Sequence, residues 1–139
     1  GSAQIKAMRQ VAGPLRLELA QYRDLAAFAQ FGSELDKASM AQLNRGKRLV
    51  EVLKQPQYQP LPVEKQVLIL FAATNAYLDD LAVEDCRPFE EELYRFVENA
   101  HPGLLKKIRD QREIDGGLRE EMTAVLKDFK ERFLAERRS

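Results

Sequence analysis

His101 is the only histidine and Cys86 the only cysteine among the 139 residues of this chain. Neither a zinc-type ligand set nor a redox pair can be assembled from them. His101 stands before Pro102 at a helix boundary, which suits a surface or capping role. Cys86 falls on an apolar stripe and reads as a buried, inert thiol. Carboxylates are plentiful, but Glu90-Glu91-Glu92 and Glu120-Glu121 are expected beside the buried positions of amphipathic helices, where solvated faces routinely carry such runs. There is no Gly-x-Ser-x-Gly elbow and no Gly-x-x-x-x-Gly-Lys phosphate loop. Lys106-Lys107 and Arg137-Arg138 are too short for a nucleic-acid footprint, and no aromatic residues interleave with them. No catalytic residue and no metal site is assigned, and the protein is expected not to be an enzyme on its own.

One pair of side chains keeps a chemical reading. Gln55 and Gln57 flank Pro56 in a stretch with three prolines in seven residues, Pro56 to Pro62, which predicts an extended connector. Residues two apart in an extended backbone project to one side. Two amides there can offer donors and acceptors to the edge of a purine. They can equally cap the end of the preceding helix as part of a polar linker. The loop Ser33-Glu34-Leu35-Asp36-Lys37 is the other polar segment, and it carries two acidic side chains.

The elements that would hold these segments follow from punctuation and spacing. Residues 3–11 predict a short helix that stops at Gly13-Pro14. Pro14 is suited to a first helical turn, and Leu15, Leu19, Tyr22, Ala26 and Ala29 then recur on one face, with Leu25 and Phe28 beside them. Gly32 supplies a stop. Ser39 and Gln42 have capping-box spacing and open a helix carrying Leu43, Leu49, Val50 and Leu53. Gly46 inside that helix costs about 1 kcal/mol relative to alanine, so close packing is expected there. Beyond the connector, Val67 to Ala73 is apolar all round, which predicts a covered helix over 62–78. Cys86, Phe89, Leu93, Phe96, Val97 and Ala100 form a stripe whose helix must begin near Glu84 to Arg87 if Pro88 is to be tolerated. Pro102 starts a short helix through Leu104, Leu105 and Ile108, broken at Asp115-Gly116-Gly117. The last helix carries Leu118, Met122, Val125, Phe129 and Phe133. The expectation is an all-α, single-domain bundle of six to seven helices, in an orthogonal or up-down arrangement.

Bulk numbers narrow the class. Composition is 45% hydrophobic and 32% charged, with 22 basic against 22 acidic residues. The first figures describe a globular protein, and the balance gives no general pull toward nucleic acid or an anionic membrane. No signal peptide is read at Gly1-Ser2-Ala3-Gln4, and the longest apolar run is far below the ~20 residues of a membrane span. The residues alone describe a soluble helical interaction module.

Several long strings resemble the α subunits of F-type ATP synthases. They are Ser2-Ala3-Gln4-Ile5-Lys6-Ala7-Met8-Arg9-Gln10-Val11-Ala12-Gly13 with Leu15-Arg16-Leu17-Glu18-Leu19-Ala20-Gln21-Tyr22-Arg23, Phe28-Ala29-Gln30-Phe31-Gly32-Ser33-Glu34-Leu35-Asp36, Leu43-Asn44-Arg45-Gly46, Leu53-Lys54-Gln55-Pro56-Gln57-Tyr58 and Phe89-Glu90-Glu91-Glu92-Leu93. The likeness is dense over residues 2–60 and continues more loosely to about 134. It departs at Cys86 and Pro88, in a stretch often Arg-rich in the family, and over the tail from Ala135 to Ser139.

The resemblance implies the C-terminal helical domain (14–139), preceded by a residual linker helix (1–13) from a nucleotide-binding domain. It implies a ring of alternating α and β subunits around a γ rotor, with ε as a further candidate partner. The setting would be the cytoplasmic face of a bacterial inner membrane, in a peripheral proton-translocating complex with no direct membrane insertion. ATP or ADP with Mg would belong to the full subunit, and no cofactor to this segment. By the same resemblance, Gln55 and Gln57 approach the adenine of the non-catalytic nucleotide, while Ser33, Glu34 and Asp36 face the rotor. The competing reading is a free-standing helical adaptor.

Overall fold

The computed structural model describes residues 5–30, 34–54 and 62–138. In sequence order the elements are α1 (Lys6–Gln30), α2 (Lys37–Leu53), α3 (Val63–Thr74), a 3-10 turn (Val83–Asp85), α4 (Cys86–Ala100), α5 (Pro102–Gln111) and α6 (Gly116–Arg138). No strand occurs among the described residues, and the all-α bundle is the observed fold.

The expected break at Gly13-Pro14 is absent: α1 runs unbroken through Pro14. An interior proline removes one helical hydrogen bond and crowds the carbonyl four residues back, at a cost of about 3 kcal/mol. Met8, Val11 and Leu15 are buried on either side of it. At roughly 1.5–3 kcal/mol for each side chain, their burial outweighs that cost. The proline ring itself is exposed. The start of α1 is also tied down from a distance. Gln10 Nε2 donates to the Ile114 carbonyl (3.0 Å), Ile114 N–H donates back to Gln10 Oε1 (2.7 Å), and Ala7 N–H donates to the Arg112 carbonyl (2.8 Å).

Beyond Leu15 the expected stripe is only half covered: Leu19, Tyr22 and Ala26 are half-buried and Ala29 is exposed. That outer half of α1 lies against α2 as a hairpin. Leu17 and Phe28, 61% and 60% exposed, are left on its outside.

The predicted capping box at the start of α2 is also corrected. Asp36 is the N-cap, in extended conformation, and its Oδ1 accepts the Ser39 N–H at 2.7 Å. Ser39 is therefore already inside the helix, and Gln42 bonds Gln21 across the hairpin instead of closing a box. Buried positions are Leu43, Gly46, Leu49 and Val52, with Val50 half-buried and Leu53 exposed. Gly46 is where α2 meets α1: a Cβ placed there would lie 2.4–2.5 Å from Tyr22 Cβ, Cγ and Cδ1. The close approach expected from sequence is present.

Helix α3 is the centre of the core, with Val67, Leu68, Ile69, Phe71, Ala72 and Ala73 all buried. It ends at Thr74, four residues before the expected end, because Ala76 turns to φ 72°. Leu78 and Leu81 remain buried in the turn that follows. Helix α4 starts at Cys86 with Pro88 in its first turn, as expected. The break after α5 is not at the glycine doublet. Arg112 adopts left-handed geometry (φ 61°), and Asp115 Oδ1 caps α6 through the Leu118 N–H at 2.8 Å, so Gly116 and Gly117 form the first turn of α6. Phe89 of α4 meets Phe129 and Phe133 of α6 edge to face, with centroids 5.0 and 5.2 Å apart, a geometry that adds to their burial.

Candidate functional site

Both sequence-derived candidate segments flank α2. Glu34 and Asp36 are exposed just before its first turn. Ser33 lies outside the described residues, as do Gln55 and Gln57, which follow its last turn. A helix of 17 residues, Lys37–Leu53, is about 25 Å long at 1.5 Å per residue. The acidic turn and the glutamine connector therefore adjoin opposite ends of one helix.

The two flanks of the connector are anchored on a common support. Lys54 closes α2 through its N–H to the Glu51 carbonyl (3.2 Å), and its own carbonyl accepts from the Arg87 guanidinium in the first turn of α4. A cation at the negative end of a helix is favourable. On the far side, the Pro62 carbonyl accepts the N–H groups of Lys65 and Gln66, both at 3.1 Å. Lys65 ion-pairs with Glu98 of α4, and its Nζ lies 5.5 Å from the Tyr94 ring centre. Between these flanks, Leu53, Gln66, Ile69 and Leu70 line a shallow depression of about 80 Å³.

Glu90 departs from the expected solvated run. It is 6% exposed and accepts the Tyr94 hydroxyl proton at 2.8 Å. Helical spacing puts it one turn from Cys86 and Leu93, on the stripe side, and that signal is present in the sequence. The triple-Glu run obscures it.

A second polar cluster has no sequence signal, because its members are 27 and 34 residues apart. Arg45 of α2 donates through Nε and Nη2 to Asp79 (3.0 and 2.6 Å to Oδ2), and through Nη1 to Glu18 Oε1 of α1 (3.2 Å). Burial pushes the Glu18 carboxyl above its ordinary range, against the pull of Arg45. Hydrogen bonding to Asp79 raises Arg45 still further above its usual value.

Cys86 is fully buried, and burial pushes its thiol up to about 11. That places it far from the thiolate needed for nucleophilic or metal chemistry. His101 is half-buried between α4 and α5, its ring 5.3 Å from that of Phe96, and its side chain makes no capping bond. Among the described residues no group of three or more His, Cys, Asp or Glu could hold a metal ion. No helix among them is long and apolar enough to cross a membrane. The groove between α4 and α6 is floored by Phe96, Phe129 and Phe133. Its rings are covered by the protein's own cations, Arg132 at 5.6 Å from Phe96 and Arg137 at 4.6 Å from Phe133. The arrangement suits packing and positioning.

Residues 4–129 match the family described as the ATP synthase alpha/beta chain, C terminal domain. The protein is also similar to the ATP synthase subunit alpha of Aquifex aeolicus (strain VF5). It is 54% identical to that protein over 134 residues, which cover 96% of this chain and 27% of that one. The sequence thus spans about a quarter of the length of the curated relative it matches.

Proposed function

Because this chain belongs to the family formed by the C-terminal domains of ATP synthase alpha and beta subunits, as the C-terminal domain of an F-type α subunit, we propose that it packs in a ring of alternating α and β subunits around a γ rotor. The observation that carries this reading is 54% identity, across 96% of the sequence, to a protein named as an α subunit. In this reading the segment does no chemistry alone. Residues 1–13 are the linker from a nucleotide-binding domain. Since α1 is continuous from Lys6 past Pro14, with Ala7, Met8 and Val11 in the core, residues 6–13 of that linker pack as part of the bundle. The parent complex is peripheral to a membrane on its cytoplasmic face and couples to proton flow. Its β and γ subunits are the partners, with ε a further candidate.

The two ends of α2 divide the work. The end bearing Glu34 and Asp36, with Ser33, is directed to the rotor. The end bearing Gln55 and Gln57 is directed to the adenine of a non-catalytic nucleotide, held with Mg by the rest of the subunit. Anchoring of both connector flanks on α4, through Arg87 and through Lys65–Glu98, supports a positioning role for that segment. In the full α subunit, Gln55→Ala with Gln57→Ala is expected to weaken adenine-nucleotide binding at the non-catalytic site by about 1 kcal/mol per lost hydrogen bond. The preference for adenine over guanine should fall with it. Equilibrium binding of both nucleotides to the assembled complex measures this. Unchanged affinity and unchanged preference would leave the segment a plain linker.

A further inference from the structure

Arg45 is shared by two carboxylates from two separate elements, and the sharing is unequal. Asp79 takes Nε and Nη2, with contacts of 2.6–3.1 Å. Glu18 receives only Nη1, at 3.2 Å on Oε1. Its second oxygen, Oε2, is buried without a hydrogen-bond partner. The Glu18 side chain is 17% exposed, whereas Asp79 and Arg45 are 33% and 32% exposed. With both carboxylates ionised the cluster holds one surplus negative charge, and the surplus sits on the more buried, less well-partnered group. An ion in such a place costs far more than a neutral acid with the same unmet bond.

Neighbouring charges do not relieve it. Arg48 is engaged by the carbonyls of Leu81 (2.8 Å) and Asn44 (2.7 Å), and Asp80 by Lys130 (2.6 Å). The charged residues of α3, Glu64 and Lys65, lie in its first turn, about 15 Å from the end that meets the turn. The charges acting on Glu18 are Arg45, which favours the ion, and Asp79, which disfavours it.

The structure that depends on this cluster is the 75–81 turn. Ala76 has φ 72°, a left-handed conformation that costs an L-residue about 1–2 kcal/mol. It persists because the turn is held by Tyr77 N–H to the Ala72 carbonyl (3.1 Å), Arg48 to Leu81, Lys130 to Asp80 and Arg45 to Asp79. We propose that Glu18 is a proton-binding site that couples the seating of the α1–α2 hairpin on the 75–81 turn to pH. With a proton taken from solvent onto Oε2, Arg45 is left to Asp79 and the seat tightens. With Glu18 ionised, the surplus charge loosens it. The inference rests on the cluster alone and is independent of the α-subunit reading.

The sign follows from linkage. A carboxyl raised above its unfolded value makes the folded protein bind more protons than the unfolded one between the two values. Its contribution is therefore fully present below the unfolded value and lost as pH rises through the folded one. Carbon-13 NMR titration of the protein's carboxyl groups tests this directly. Glu18 should titrate above the ~4.3 of a solvent-exposed glutamate. Amide exchange at Tyr77 and Leu81, corrected for its intrinsic pH dependence, should speed up across the same midpoint. Asp79→Asn should move the Glu18 midpoint down, and Glu18→Gln should abolish the step in exchange. A wild-type Glu18 midpoint at or below that of exposed glutamates would overturn the proposal without recourse to any variant. So would exchange at 77 and 81 with no step, or a Glu18 midpoint indifferent to Asp79→Asn.

Discussion

Gly46 and Tyr22 show how one missing side chain sets the spacing of a hairpin. Replacing glycine by alanine in an open helix gains about 1 kcal/mol of helix propensity. Here the new Cβ would fall 2.4–2.5 Å from Tyr22, and the atoms it meets include Tyr22 Cβ. A Cβ cannot swing aside as a side-chain tip can, so α1 and α2 must separate. Overpacking of this kind costs about 1–3 kcal/mol. Gly46→Ala should therefore be net destabilising in urea or thermal unfolding. In a Tyr22→Gly background, which removes that Cβ as well as the ring, the same substitution should become neutral or stabilising, because only propensity is left. An equal loss in both backgrounds would mean that Gly46 matters for some reason other than this contact. Cys86 shows the same logic for reactivity: its identity is that of a nucleophile, but burial decides its behaviour.

Among the elements, the stripes of α4 and α6 are legible in the sequence because each helix buries one face and the spacing of Cys86, Phe89 and Leu93, or of Met122, Val125 and Phe129, records it. The failures have a common cause. Pro14 and Gly116-Gly117 read as punctuation by local preference, whereas long-range burial and the ties of Gln10 to Ile114 decide the actual ends. In the same way Val52, not Leu53, is buried, since which of two adjacent apolar residues faces inward depends on the partner helix. The Glu18–Arg45–Asp79 cluster is illegible because no spacing rule connects residues on separate elements.

Asp36 reads from sequence only as a contact for a partner, yet within the bundle it starts α2. Its carboxyl is held below the ordinary range by the Ser39 N–H and then by the Ser39 hydroxyl. A depressed carboxyl contributes stability above its unfolded value and loses it as pH falls through the folded one. Asp36→Ala should thus be less stable than wild type at neutral pH. The gap should close as pH falls below the ~3.9 of an ordinary aspartate, while Asp36→Asn should retain most of the cap. Urea unfolding at a series of pH values checks this. A gap that stays constant into acid would show that the charge is irrelevant to the cap.

For the whole molecule, the described helices share one continuous core, from Ala7 and Met8 in α1 to Phe129 and Phe133 in α6. The α1–α2 hairpin, which carries Leu17, Phe28 and Met40, keeps apolar surface exposed, and exposed apolar surface is what a subunit interface covers. The sequence matches 27% of its α-subunit relative, and the role proposed for it is within an assembly. The direct measurement replaces the matching segment of that α subunit by this one, co-expresses the chimera with β and γ, and determines the mass of the product by sedimentation or native mass spectrometry. The account predicts a ring of alternating α and β subunits with γ bound, in the same yield as the parent subunit. A chimera that is helical by circular dichroism yet stays monomeric, while the parent assembles under identical conditions, would contradict it.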